Sequence, residues 1–207
     1  MEHWELEQEA AAAGYTAVCG VDEAGAGPLA GPVYAAAVIL PFGLELPYLN
    51  DSKQVTPKRR DRLFDLIREQ AVAWSIASVS AEEIDEIDIL NARMKAMQLA
   101  IDGLTPAADF ALIDGNRDHG SRCAIITAHE TVVKGDNRSP SIAAASILAK
   151  VSRDRYMEEL ADTYPQYRFE QHKGYPTKLH YEMLDQFGPS PVHRKTFLAK
   201  WEAKGRG

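Results

Sequence analysis

Residues 17–40 read AVCGVDEAGAGPLAGPVYAAAVIL, which is two apolar runs joined by a segment rich in glycine and proline. Small and β-branched residues bounded by Gly and Pro are typical of strands, so the stretch predicts a β-hairpin. The first run ends in two adjacent carboxylates, Asp22 and Glu23. Carboxylates so close together in a partly dehydrated site repel each other unless a cation neutralises them. Alone, the pair is equally well explained as a solvated strand end, because Asp and Gly are ordinary turn residues.

The remaining chain alternates predicted strands and helices. Thr56-Pro57 supplies an N-cap and a proline at the first helical position, which predicts a helix to about Glu69. Ser80 begins a capping-box pattern that predicts a helical stretch to about Leu104. The other expected segments are a strand at 72–76, a short buried strand at 110–113, a fifth strand within 125–133, a helix from Ser141 to about Ala161, and short helices and turns after Tyr164.

This order of elements indicates an α/β fold, because neighbouring strands come first and strands then alternate with helices. We expect a mixed sheet of about five strands flanked by helices, followed by a helical C-terminal extension. The expected division is a catalytic core of residues 1–162 and an extension of residues 163–207 packed on it, which together form a single catalytic unit.

Composition narrows the class of protein. No apolar stretch reaches the roughly 18 residues that span a bilayer, and the N-terminal residues are acidic rather than basic and then apolar, as a secretory signal would be. We therefore expect a cytoplasmic protein without membrane contact. The two cysteines, Cys19 and Cys123, are too few for a disulfide framework or a thiolate metal site, so we expect free thiols.

The distribution of charge allows a polyanionic partner despite a net charge of -7. Residues 134–207 contain 13 Lys and Arg against 9 Asp and Glu, whereas residues 1–133 contain 10 against 21. The basic C-terminal part could bind nucleic acid, while the acidic part contains most of the candidate metal ligands.

Four acids, Asp22, Glu23, Asp114 and Asp136, each follow a short apolar run. Acids at the ends of neighbouring strands would form an oxygen-rich cluster suited to Mg²⁺ or Mn²⁺. Two such ions could activate a water molecule and stabilise the leaving oxygen in phosphodiester hydrolysis. Taken alone, each acid could equally well be a helix cap, a turn residue or a member of an ion pair. The metal-site hypothesis therefore depends on the joint placement of the four acids.

A dinucleotide-binding loop is the alternative interpretation of the glycines between Gly25 and Gly31. Such a loop must open a helix, whose N-terminus holds the pyrophosphate. Pro28, Pro32 and the strand-like run that follows are incompatible with that helix, so we set this interpretation aside.

Several segments, taken in order, closely resemble bacterial ribonuclease HII over about residues 17–197. They are Gly20-Val21-Asp22-Glu23-Ala24-Gly25, Gly27-Pro28-Leu29-Ala30-Gly31-Pro32-Val33, Asn50-Asp51-Ser52-Lys53, Ile113-Asp114-Gly115-Asn116, Val133-Lys134-Gly135-Asp136, AAASILAKV at residues 143–151 and His172-Lys173-Gly174-Tyr175-Pro176-Thr177. The resemblance implies a ribonuclease H-like fold. It also implies hydrolysis on the 5′ side of a ribonucleotide in RNA/DNA hybrids and in duplex DNA that carries a single ribonucleotide, leaving a 3′-hydroxyl and a 5′-phosphate.

The resemblance also implies roles for individual residues. Asp22, Glu23 and Asp114 correspond to the principal metal ligands, and Asp136 corresponds to the acid that helps to hold a second ion. Tyr175 resembles the tyrosine that packs on the sugar beside the scissile linkage, although a core or capping tyrosine is the alternative.

Several basic and polar residues are candidates for phosphate contacts, which position a duplex without reading its sequence. They are Ser52, Lys53, Lys134, Arg138, Lys150, Arg153 and Lys173, and for each one a solvated surface charge is an equally good explanation. His172 and His193 belong to no spaced metal motif, so we expect a structural or phosphate-contacting role for both.

The chain departs from the family pattern at Ala26. The family has Gly-Arg-Gly or Gly-Lys-Gly after the acidic pair, where this chain has Gly25-Ala26-Gly27. In the family, the backbone of this tripeptide reads the ribose 2′-hydroxyl and the basic side chain meets the neighbouring phosphate. Loss of that side chain would remove a charge-assisted hydrogen bond, which is on the order of 1.5–3 kcal/mol, or about ten- to a hundredfold in binding or rate. Residues 117–130 also match the family poorly.

Two other interpretations were weighed. The sibling family ribonuclease HIII usually carries an additional N-terminal domain, and the short segment before the first predicted strand disfavours it. A catalytically silent hybrid-binding protein is disfavoured by the four acids, since negative charges beside phosphates would only weaken binding. We expect a monomer, and the tail contains no motif that indicates recruitment by a replication clamp.

Overall fold

The computed structural model describes residues 4–47, 49 and 56–204. Asn50-Asp51-Ser52-Lys53, with the candidate phosphate ligands Ser52 and Lys53, lies outside these residues. Five strands form one mixed sheet in the order β3-β2-β1-β4-β5, with β1 Val18–Ala24, β2 Val33–Ile39, β3 Ala73–Val79, β4 Phe110–Asp114 and β5 His129–Val132. β1–β2 and β2–β3 pair antiparallel, whereas β1–β4 and β4–β5 pair parallel. The predicted hairpin and mixed sheet are therefore confirmed.

Eight α-helices surround this sheet in the described part of the chain. They are α1 Glu5–Ala12, α2 Pro57–Gln70, α3 Ala81–Ile87, α4 Ile89–Asp102, α5 Pro140–Thr163, α6 Phe169–His172, α7 Lys178–Phe187 and α8 Lys195–Lys204. None of them is both long and apolar enough to cross a bilayer, within the residues that the structure describes. The helices after α5 confirm the helical C-terminal region, and the division at residue 162 stays a prediction.

Helix caps explain where two of the predicted helices begin. The hydroxyl of Thr56 accepts a hydrogen bond from the backbone N–H of Arg59 (3.4 Å), and that of Ser80 accepts one from Glu83 (3.1 Å). These contacts satisfy N–H groups that have no partner within the helix. Both N-cap predictions are confirmed.

The helical stretch predicted from Ser80 to about Leu104 is confirmed, but it forms two helices, α3 and α4, because the helix is interrupted at Asp88. Asp88 has a φ of 69°, which an α-helix does not allow. Its carboxylate accepts a hydrogen bond from the N–H of Asn91 (2.9 Å) and caps α4. The apolar pattern continues across this break, so periodicity alone did not reveal it.

The fifth strand is shorter than predicted. β5 begins at His129, and the preceding Ile126 is mostly exposed and donates its N–H to the Gln98 side chain (2.8 Å) rather than to a neighbouring strand. The two cysteines are free, as predicted, and burial raises the pKa of the Cys19 thiol to about 12.

The sheet is buried on both faces. Val21 and Met97 belong to a core cluster on the α4 side, and Val38 and Leu148 belong to a second cluster on the side of α2 and α5. Successive strand residues point to opposite faces, so the odd and even positions of β1 face different helices. This alternation decides which helix each acid in β1 faces.

Helix α5 crosses β1 at Gly20, where the two backbones come very close. A Cβ added to Gly20 would lie 2.1 Å from the backbone N of Ile142 and 2.1 Å from the carbonyl C of Ser141. Only a residue without a side chain fits there.

We expect Gly20→Ala to destabilise the fold, because the helix must move away from the sheet that carries the acids. Overpacking of this kind costs about 3 kcal/mol, which corresponds to a melting temperature lower by about 6–12 °C. Differential scanning calorimetry measures the shift. Gly27→Ala is the matched control, since a Cβ at Gly27 meets no heavy atom within 4 Å, and an equal melting temperature for the two variants would contradict the packing argument.

Candidate active site

Three of the acids, Asp22, Asp114 and Asp136, lie at the edge of the sheet where the parallel strands end. The β1–β4 ladder closes with Val21 opposite Ile113, so Asp22 and Asp114 are the next residue in each strand. The Asp114 carboxylate accepts a hydrogen bond from the N–H of Gly135 (2.7 Å), which ties it to the short 3-10 turn after β5. That turn carries Asp136, which is buried.

Strand alternation separates the two acids in β1. Asp22 lies on the same face of β1 as Gly20 and faces α5. Glu23 lies on the same face as Val21 and faces α4. The Nη2 of Arg93, in α4, lies 2.5 Å from Oε1 of Glu23. The acidic pair thus lies within the last residues of β1 rather than in a turn after it.

The neighbouring acids raise the pKa values of Asp22 and Glu23. Burial raises the pKa of Asp22 well above its ordinary value, and the charges of Glu23, Asp114 and Asp136 raise it further. Burial also raises the pKa of Glu23, against the opposing effect of the Arg93 guanidinium. A site whose own charges repel in this way is stabilised by a cation.

The donor set suits a divalent cation, since Mg²⁺ and Mn²⁺ prefer carboxylate oxygens. As the side chains stand, however, no three His, Cys, Asp or Glu side chains of the described residues are grouped closely enough to hold an ion. Other contacts already use oxygens of these acids. Asp22 Oδ1 accepts the N–H of Glu23 (2.7 Å), Asp114 Oδ1 accepts the N–H of Gly135, and Glu23 contacts Arg93. The residues fit the ion in chemistry, and their side chains would have to turn to bind it.

A cavity of about 460 Å³ opens beside the acids. Its lining includes Asp22, Glu23, Gly25, Ala26, Gly27, Arg60, Asp136, Lys150 and Tyr175. Tyr175 is 38% exposed, and the Nζ of Lys150 lies 5.7 Å from the centroid of its ring. The cavity therefore combines carboxylates, an aromatic face and cations, as a site for a phosphodiester and its sugar requires.

Arg60 was missed in the sequence because it lies in a helix with several other basic residues. It lines the cavity from α2, and its Nη1 lies 3.9 Å from the Asp154 carboxylate, which also accepts a hydrogen bond from Lys150 (2.7 Å). Nothing in the spacing of the basic residues in α2 distinguishes the one that faces the cavity.

Arg153 does not have the accessible position expected of a phosphate ligand. Its side chain is completely buried, and its guanidinium donates to the carbonyls of Pro32 (3.1 Å), Lys173 (3.0 Å) and Ala30 (3.2 Å). A Cβ at Gly25 would lie 2.1 Å from its Nε. Arg153 thus fills the space beneath the glycine-rich loop between Gly25 and Gly31 and positions this loop.

Arg194 holds the same loop from the C-terminal region, and the sequence offered no signal for this. It is also completely buried, and it donates to the carbonyls of Gly25 (2.7 Å), Ala26 (3.1 Å) and Gly31 (2.9 Å). Burial lowers its pKa to about 9, yet the three acceptors keep its donors satisfied. The backbone of the candidate substrate loop is thereby fixed.

Three candidate phosphate contacts lie outside the cavity lining. Lys134 and Arg138 flank the turn that carries Asp136, and both are exposed. Lys173 donates from Nζ to Glu158 (2.8 Å) and to the carbonyl of Glu170 (2.7 Å), which draws it away from the cavity.

Three buried histidines support the segment that carries Tyr175. His172 accepts the N–H of Gly174 at Nδ1 (3.1 Å), and His180 Nδ1 contacts the carbonyl of Tyr175 (3.0 Å). His193 accepts the N–H of Ser190 at Nδ1 (2.9 Å) and contacts His180 through the two Nε2 atoms (3.0 Å). Each imidazole ring donates one hydrogen bond and accepts another, so all three histidines are neutral. His172 and His193 are therefore structural, and His180 is a third member that the sequence analysis missed.

These histidines predict a loss of stability in acid. Burial lowers the pKa of His180 and of His193 to about 4, whereas an unfolded histidine titrates near 6.5. Because the unfolded chain binds protons first, stability is complete above about pH 6.5 and falls as the pH drops towards 4, by on the order of 3 kcal/mol for each ring.

Urea unfolding at several pH values between 7 and 4 measures this slope. His180→Gln is expected to flatten this slope, because it removes one of the two buried rings that take up a proton on unfolding. The same slope in His180→Gln and the unmodified chain would contradict the assignment.

Comparison with known proteins gives a consistent result. A family model described as Ribonuclease HII matches residues 19–202. Ribonuclease HII of Shouchella clausii is 54% identical over 94% of this chain and 73% of its own length, and that of Geobacter sulfurreducens is 50% identical over 98% and 91%. The crystal structure of ribonuclease H2 from Pyrococcus horikoshii OT3 superposes with a TM-score of 0.74 and 26% identity, covering 92% of this chain and 99% of that one.

Proposed function

The chain belongs to the ribonuclease HII family and is a ribonuclease H enzyme, and we propose that it cuts the phosphodiester on the 5′ side of a ribonucleotide. The proposed substrates are RNA/DNA hybrids and duplex DNA with a single embedded ribonucleotide, and the proposed products end in a 3′-hydroxyl and a 5′-phosphate. The observation that carries the proposal is the cavity in which Asp22, Glu23 and Asp136 lie beside Tyr175 and the glycine-rich loop. Because the relatives are ribonucleases, the alternative of a silent hybrid-binding protein loses its support.

Divalent metal dependence is typical of this family, and we propose that Asp22, Glu23, Asp114 and Asp136 hold two ions, Mg²⁺ or Mn²⁺, in the substrate complex. Bound ions would activate a water molecule and stabilise the leaving oxygen. The protein's own contribution is to bring the carboxylates to one edge of the sheet, where the hydrogen bond from Gly135 N–H to Asp114 ties β4 to the turn that carries Asp136.

The remaining cavity residues are proposed to hold the nucleic acid. The exposed face of Tyr175 would pack on the sugar beside the scissile bond, and Lys150 and Arg60 would contact phosphates. The backbone of Gly25, Ala26 and Gly27 would meet the ribose, since two buried arginines fix that loop. Because these cations would contact phosphates, binding is expected to weaken strongly as the salt concentration rises.

The C-terminal region is proposed to be part of the catalytic unit rather than an independent domain. Leu29 donates its N–H to the carbonyl of Gly174 (2.8 Å), and Gly31 donates to that of Val192 (2.9 Å). These bonds join the glycine-rich loop to the segment that carries Tyr175. Separation of the two regions would therefore disrupt both sides of the cavity.

A substrate panel tests the proposal. The enzyme would be given an RNA/DNA hybrid, a DNA duplex with one ribonucleotide and an all-DNA duplex of the same sequence, each with Mg²⁺ or Mn²⁺. We expect cleavage of the first two and none of the third, and the product ends should accept polymerase extension at the 3′-hydroxyl. Cleavage of the all-DNA duplex, or a product with a 3′-phosphate, would contradict it.

A further inference from the structure

Arg93 is a cation in direct contact with an acid of the candidate site, and neither the residue patterns nor the family resemblance gave it a role. It extends from α4, and its Nη2 lies 2.5 Å from Oε1 of Glu23. The side chains are 25% and 10% exposed, respectively, so solvent screens the pair less than it would screen a surface ion pair. The contact is therefore strong enough to affect what else Glu23 can bind.

The position of Arg93 follows from the geometry of β1. Because Glu23 faces α4 while Asp22 faces α5, Glu23 starts on the opposite side of the strand from its neighbour. Arg93 holds it there. The charge of Asp114 also raises the pKa of Glu23, so these two carboxylates interact electrostatically across the end of the sheet.

The contact between Arg93 and Glu23 leaves Arg93 incompletely satisfied. Its Nε is buried and has no hydrogen-bond partner among the described residues. A buried donor without a partner destabilises its arrangement. Arg153 and Arg194 differ in this respect, since each donates three hydrogen bonds to carbonyls. The arrangement of Arg93, unlike those of Arg153 and Arg194, therefore favours release.

We propose that Arg93 competes with a divalent cation for the carboxylate of Glu23 and so weakens metal binding by the free enzyme. The inference rests on the proposed function, in which Glu23 is a metal ligand. A cation that binds Glu23 competes with the guanidinium for the carboxylate and is repelled by its positive charge. Arg93 is a positioning residue in this account, because it acts through Glu23 and contacts no substrate.

Metal binding without substrate tests the inference, and the probe is Mn²⁺ alone. Isothermal titration calorimetry, or the loss of the free Mn²⁺ signal in electron paramagnetic resonance, measures affinity at pH 8. We expect Arg93→Met to bind Mn²⁺ about tenfold more tightly than the unmodified enzyme. Lys95→Met is the matched control, since Lys95 lies on the same helix and pairs with Glu83, away from the site; we expect no change.

Glu23→Gln separates this inference from the proposed function. If Glu23 is a ligand, Glu23→Gln weakens Mn²⁺ binding, and in the Arg93→Met background it removes the gain. If Glu23→Gln leaves the affinity unchanged in both backgrounds, the role of Glu23 in the proposed function is wrong. If Glu23→Gln weakens binding but Arg93→Met does not tighten it, competition by Arg93 is overturned while the proposed ligand stands. Should Arg93→Met fail to fold, Arg93→Gln removes the charge and keeps hydrogen-bond donors, with the same expected result.

Discussion

Asp22→Asn is expected to lower the cleavage rate at least about 1000-fold, a loss of about 4 kcal/mol of transition-state stabilisation. The substitution keeps the shape of the side chain and removes the negative charge that a divalent cation requires. It is also expected to leave the metal-free fold as stable as before, or more stable. Burial and the neighbouring acids raise the pKa of Asp22, which means that its charge destabilises the folded state.

Single-turnover cleavage and melting temperature, measured on the same preparations, test this combination. Mg²⁺ or Mn²⁺ should raise the melting temperature of the unmodified enzyme, because a ligand that binds only the folded state stabilises it. The rise should be smaller in Asp22→Asn. A variant that is inactive because it unfolds would show a structural role instead, and one that keeps its rate would remove Asp22 from the catalytic site.

Ala26→Arg is expected to accelerate cleavage about ten- to a hundredfold under subsaturating substrate, which is the contribution of one charge-assisted hydrogen bond to a phosphate. Ala26 lines the cavity, and Arg194 fixes its carbonyl, so a longer side chain can be added without changing the loop backbone. The effect should appear mainly in KM and should shrink as the salt concentration rises.

Ala26→Met is the control for this prediction, since it adds length without charge. We expect its rate to stay near that of the unmodified enzyme. Equal rates for the unmodified enzyme and Ala26→Arg would show that the missing cation is not needed, or that Lys150 and Arg60, which line the same cavity, already supply it.

The sequence predicted the parts of the fold that depend on local patterns. The hairpin, the caps at Thr56 and Ser80 and the strand that ends at Asp114 follow from alternation, capping residues and apolar runs. The four acids could be predicted for the same reason, since each follows an apolar run. The break at Asp88 could not, because the apolar pattern of α3 continues into α4.

Contacts between segments that are distant in the sequence could not be predicted from such local patterns. Arg153, by sequence, is one basic residue among many in a helix, and only packing against the glycine-rich loop makes it a buried support. The same holds for Arg194 and for the contact of Arg93 with Glu23. A charged residue type in a sequence indicates neither its burial nor its partner, so the roles of these arginines depend on the three-dimensional arrangement.

The most direct test of the account is cleavage of an end-labelled DNA duplex that contains one ribonucleotide, in the presence of Mg²⁺ or Mn²⁺, with Asp114→Asn as control. The account predicts a single nick on the 5′ side of the ribonucleotide that requires the metal and disappears in the control. A nick elsewhere, or a nick that persists in Asp114→Asn, would contradict the assignment of the acids at the strand ends as the catalytic site.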